Sequence, residues 1–117
     1  MNYLYKLQIS FSPGRETLNA VNSILGIEYL SDEENPSQWI YEVEQQESDA
    51  YFDFINSFLN IIETKYSDLE KLNIKHDDIS IWMFYEYEHQ CNMEFDPKRM
   101  KRIGESGITL CISCWQK

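Results

Sequence analysis

Residues 108–117 read ITLCISCWQK, and the reading of this stretch decides the fold. Taken for its thiols, it is a Cys-x-x-Cys pair, and the chain becomes a small domain stapled by a metal or a redox dithiol. Taken for its alternation, it is a β-strand with Cys111 and Trp115 on one face and Ile112 and Cys114 on the other. A redox dithiol normally sets its first thiol at a helix N-terminus, where the dipole lowers its pKa. A structural zinc needs four ligands, usually two of them from a second knuckle. Here the only other soft side chains in reach are His89 and Cys91, and thiols on opposite faces of a strand cannot close on one ion. The strand reading prevails. Cys91, Cys111 and Cys114 are expected to be inert thiols that pack as small hydrophobes, with no metal and no cofactor.

Moving back along the chain, Asp96-Pro97 opens a third helix that carries Met100 and Ile103 and stops at Gly104 or Gly107. Before it, Ile79, Ile81, Met83, Tyr85 and Tyr87 alternate with Ser80, Trp82, Phe84, Glu86 and Glu88. This third strand begins apolar on both faces, so it is expected to lie centrally and to be covered on both sides at that end. Ser67 to Asn73 adds a short helical turn. The second helix is capped by Ser48 and turns Phe52, Ile55, Leu59, Ile62 and Tyr66 inward, widened by Phe58. Its other stripe, Asp49, Asp53, Asn56, Asn60 and Glu63, reads as a solvated face.

The first half repeats the logic. QWIYEVEQ (38–45) is a strand with Trp39, Tyr41 and Val43 inward and Ile40, Glu42 and Glu44 outward. YLSDEENPS (29–37) is a polar loop. The first helix is capped by Ser12 with Pro13 in its first turn, carries Leu18, Val21, Ile24 and Leu25, and ends at Gly26. YLYKLQISF (3–11) is a strand with Tyr3, Tyr5, Leu7, Ile9 and Phe11 on one face. The predicted order is β-α-β-α-β-α-β, an α+β fold with helices packed on a four-stranded sheet, in a single domain over residues 1–117.

With the elements in place, Leu25-Gly26-Ile27, the strand centred on Trp39 and the closing FDPKRMKRIGESGITLCISCW (95–115) together resemble a family of small bacterial proteins catalogued as a domain of unknown function. The resemblance implies the same α+β fold and brings no catalytic residues. In that family a Pro-Thr pair tends to follow Leu-Gly-Ile, where this chain has EYLSDEENPSQ (28–38).

Charge points to function more than any motif does. The net charge is −10, and residues 1–53 hold ten acids against two bases, Lys6 and Arg15. From Glu28 to Asp53 there are nine acids, namely Glu28, Asp32, Glu33, Glu34, Glu42, Glu44, Glu47, Asp49 and Asp53, and no base. Such a field repels nucleic-acid phosphate and anionic lipid and attracts basic protein surfaces. Tyr29, Trp39 and Tyr41 lie among these acids, and aromatic anchors inside charged rims are typical of protein-binding surfaces. The acids and Tyr29 are therefore the expected partner-binding residues.

No catalytic constellation competes with that reading. His76 and His89 stand in no recognisable nucleophile context, the glycines form no phosphate loop, and the basic cluster KRMKR (98–102) reads as a solvated helix face. An apolar run long enough to span a bilayer, about 18 residues, is absent, and the N-terminus lacks the plan of a signal peptide. The expectation is a cytoplasmic binding protein, not an enzyme, with no direct nucleic-acid or membrane contact. Its partner would be a basic protein such as a toxin domain, which makes an immunity protein the most concrete form. Two alternatives remain open: a phage- or plasmid-encoded nucleic-acid mimic using carboxylates such as Asp49, Asp53 and Glu63, and a small-ligand module or enzyme with a pocket lined by Trp82, Phe84, Tyr85 or Trp115.

Overall fold

The computed structural model describes residues 3–46 and 49–117. Its strands are β1 (Tyr3–Ser10), β2 (Gln38–Gln45), β3 (Ile79–Tyr87) and β4 (Thr109–Gln116), and its helices are α1 (Arg15–Leu25), α2 (Phe54–Ile62), a single turn α3 (Tyr66–Glu70) and α4 (Pro97–Ser106). The α+β order β-α-β-α-β-α-β holds, with α3 supplying the expected turn after α2. The sheet runs β2-β1-β3-β4, with β1 antiparallel to both neighbours and β4 parallel to β3. A parallel pair needs a crossover, and α4 is that crossover.

Register gathers the apolar residues on one face. Ile9 lies opposite Trp39 and Ile79, Leu7 opposite Tyr41 and Ile81, and Tyr5 opposite Val43 and Met83. Against this face pack Leu18 and Val21 of α1 and Phe54, Ile55, Phe58, Leu59 and Ile62 of α2, in one core. Trp39 and Leu59 are fully buried, as their periodicity requires. The opposite face carries Leu4, Lys6 and Gln8 on β1, Ile40, Glu42 and Glu44 on β2, and Trp82 and Phe84 on β3, and none of these is buried. The expectation that β3 is covered on both sides at its start is therefore corrected. Trp82 and Phe84 stack on each other at 5.6 Å, and the Lys6 ammonium lies 4.9 Å from the Trp82 ring centre. These contacts, instead of a helix, shield them.

Two helix starts also differ from expectation. α1 begins at Arg15 with Gly14 as its N-cap and no side-chain cap bond, so Ser12 and Pro13 precede the helix. α2 begins at Phe54 with Asp53 as its cap, accepting from the Asn56 N–H at 3.3 Å; Ser48, the expected cap, lies outside the described residues. The glycine stops hold. Gly26 and Gly107 adopt φ 69° and 72°, in the left-handed region that favours glycine. At Gly107 a side chain would also meet His76, with its Cβ 3.3 Å from the ring.

Candidate binding surface

The acidic stretch divides into a free part and an engaged part. Glu28, Asp32, Glu33 and Glu34 are exposed on the loop between α1 and β2. The loop is held by Arg15, whose Nη2 donates to the backbone carbonyls of Ser31, at 2.9 Å, and of Glu33. Arg15 thus engages carbonyl oxygens and no carboxylate. Glu42 and Glu44 are exposed on the uncovered face of β2, which is an edge strand. Their register neighbours on β1 are Lys6 and Leu4, and the Lys6 ammonium turns away onto Trp82 and Phe84. Among the described residues, neither base of the acidic half forms an ion pair with Glu28, Asp32, Glu33, Glu34, Glu42 or Glu44. Glu47 lies outside the described residues.

Asp53 does not belong with them. Arg99 of α4 grips it through two bonds, Nε to Oδ1 at 3.0 Å and Nη2 to Oδ2 at 2.8 Å. This hydrogen-bonded guanidinium lowers the Asp53 carboxyl from 3.8 to about 2. One turn further along, Arg102 donates to both oxygens of Glu63, at 3.0 and 2.8 Å, and to the side-chain oxygens of Asn56 and Asn60, at 2.6 and 2.7 Å. While Asp49 is exposed, the other four members of the stripe read as solvated, Asp53, Asn56, Asn60 and Glu63, form instead a polar seam that docks α4 on α2. Its basic half is the KRMKR cluster, whose Arg99 and Arg102 face the seam. A run of Asp, Asn and Glu at helical spacing looks the same whether water or arginine covers it.

Tyr29 is half-buried. Its backbone N–H and C=O are both bound by the Asn22 side chain, at 2.8 and 3.2 Å, and its ring packs on the core. The apolar side chain presented among the loop acids is Leu30, 78% exposed. Trp39 and Tyr41 face the core as well. The exposed aromatic of the stretch is Tyr51, at 61%, and it stands beside Asp49.

Asp49 and Tyr51 open onto a cavity of about 340 Å³ at the end of the sheet. Its wall comes from β1 (Tyr3, Tyr5), β3 (Met83, Tyr85), the start of α2 (Phe54) and the segment before α4 (Met93, Glu94, Phe95). Tyr3 stacks on Tyr85 at 4.7 Å, and Tyr5 on Phe54 at 4.8 Å. The Tyr5 hydroxyl donates to Gln45 Oε1 at 2.8 Å. Burial raises the Tyr5 phenol well above its usual value, and Tyr51 is raised by burial and then by the Asp53 carboxylate. Of the four aromatic residues expected to line a pocket, Tyr85 does; Trp82, Phe84 and Trp115 lie on the uncovered face, in register with one another through Cys111, Ser113 and Glu86.

The cysteines follow the strand reading of ITLCISCWQK. Register sets Cys111 beside Trp82 and Cys114 beside Tyr85, on opposite faces. Cys91 lies in the loop after β3, not on the strand, and its thiol is raised by burial and by the neighbouring Cys114 thiol. Among the described residues no group of three or more His, Cys, Asp or Glu side chains is placed to hold a metal, and no helix is long and apolar enough to cross a membrane. Neither a family model, nor a curated protein, nor a solved structure matches the chain.

Proposed function

We propose that the chain is a small acidic binding protein that neutralises a basic protein partner, as an immunity protein does for a bacterial toxin. One observation carries this reading: Glu28, Asp32, Glu33, Glu34, Glu42 and Glu44 are exposed along an edge strand and the loop entering it and form no ion pair among the described residues, Lys6 lying over Trp82 and Arg15 being bound to the loop's own carbonyl oxygens. Uncompensated charge of one sign over a surface attracts and orients a partner of the other sign. Leu30, exposed within the loop, supplies an apolar contact among these acids. The nucleic-acid-mimic reading is weaker, because two of the carboxylates it needs, Asp53 and Glu63, are bound to Arg99 and Arg102.

Co-purification from the native host tests the proposal. A basic protein should be retained by the wild-type chain and lost from the Glu33→Lys/Glu44→Lys variant, with Glu70→Lys as the control. If a partner is retained equally by both variants, the acidic edge is a solvated surface and this reading fails.

A further inference from the structure

The cavity at the end of the sheet is independent of the acidic edge and has its own chemistry. Six of its side chains are aromatic, namely Tyr3, Tyr5, Tyr51, Phe54, Tyr85 and Phe95, and two are the thioethers Met83 and Met93. Its charged lining residues are Asp49 and Glu94, and among the described residues no Lys, Arg or His lines it. The nearest guanidinium, Arg99, lines the adjoining groove with Tyr51, Glu94 and Phe95 and is already bound by Asp53 and Asp96. The charge of its described lining is therefore negative. An anion is repelled, and a neutral apolar guest would cover the carboxylates and add no hydrogen bond to the one that Asp49 Oδ2 accepts from the Gln46 N–H, at 2.8 Å, at the cost of their hydration. A planar cation satisfies both features: its face stacks on aromatic rings, and its N–H fork meets a carboxylate. The volume, about 340 Å³, lies within the range of small-ligand sites and holds such a group with its aliphatic stem.

We propose that this cavity is a binding site for a guanidinium-type organic cation carried on an aliphatic stem, with Tyr51 and the carboxylates of Asp49 and Glu94 at its mouth. The guest is either the arginine side chain of a protein or a free alkylguanidine, and the two share this recognition. The site does not depend on the proposed capture of a basic partner by β2, and its test uses no partner.

The test is a titration of the whole chain, labelled with ¹³C at its methionine methyls, followed by NMR. N-acetylarginine amide should shift the Met83 and Met93 methyls saturably. N-acetylcitrulline amide, of the same shape without the charge, should bind about tenfold more weakly. Glu94→Gln and Tyr51→Ala should each weaken the arginine probe severalfold, while Met100, exposed on α4, stays unshifted. Butylguanidinium separates the sources: tighter binding of the amide assigns the site to a protein side chain, and tighter binding of butylguanidinium to a free cation. Equal binding of the citrulline probe, or no saturable shift with either guanidinium, overturns the proposal.

Discussion

Asp53 caps α2 with one oxygen and shares both oxygens with the Arg99 guanidinium, so its carboxyl stays ionised down to about 2. A folded-state value below the unfolded one stabilises the protein above the unfolded value of 3.8 and ceases to do so as pH falls through about 2. Asp53→Asn keeps a good cap and removes the titration. Urea unfolding between pH 5 and 2 should therefore show a loss for the wild type that is shallower in the variant; parallel curves would mean that the pair is not coupled to folding. Thiol labelling makes a second residue-scale prediction. The thiolate is the nucleophile, so exposed Cys114 should be alkylated before Cys91, whose thiol is raised, with the gap closing as pH increases. Peptide mapping after brief alkylation reads the order. At this scale the sequence was least informative. Tyr29 was the expected anchor because it is aromatic, but Asn22 holds its backbone and leaves Leu30 to face outward. Nothing in the local pattern distinguishes the two.

α2 shows what periodicity does and does not reveal about an element. Its inward face was legible from spacing alone, because burying Ile55, Phe58, Leu59 and Ile62 on a sheet requires a helical repeat. Leu59→Ala should cost about 2–5 kcal/mol in denaturant unfolding; a change near zero would place that face outside the core. The outward face was misread because its partner, α4, lies some forty residues further along, and the pairing depends on tertiary fold. Arg102→Ala removes the anchor of that seam. Its bonds to Glu63 are partly solvated, so a loss of about 1–2 kcal/mol is expected, with faster amide exchange in α4 than in β1. Strand identity was legible for the same reason as the α2 face, since alternation is local. Of the strand order only the inner place of β3 was legible, because β1 alternates as β2 does and only the assembled register shows which of those two lies at the edge.

Across the described residues, charge is unevenly distributed: carboxylates with no ion-pair partner among those residues lie along one edge of the sheet, and arginine–carboxylate pairs lie between the helices on its covered face. Exposed rim charges act mainly on the encounter rate and are screened by salt. Association with a basic partner should accordingly slow as ionic strength rises, and Glu33→Lys/Glu44→Lys should flatten that dependence in stopped-flow measurements while leaving dissociation nearly unchanged. The composition announced the acidic half of this pattern. The cavity it could not announce, since its lining is drawn from Tyr3 and Tyr5, from Gln45, Asp49, Tyr51 and Phe54, and from Met83, Tyr85 and residues 92–95. The three tryptophans divide the molecule in another way. Trp39 is fully buried with its indole N–H on the Ile27 carbonyl, Trp82 lies half-covered beneath the Lys6 ammonium, and Trp115 is 46% exposed on the last strand. Their combined emission is thus three optical reporters in one spectrum. Iodide should quench Trp115 first, and fraying of β4 should redden only that component while the blue emission of Trp39 persists until the sheet itself opens.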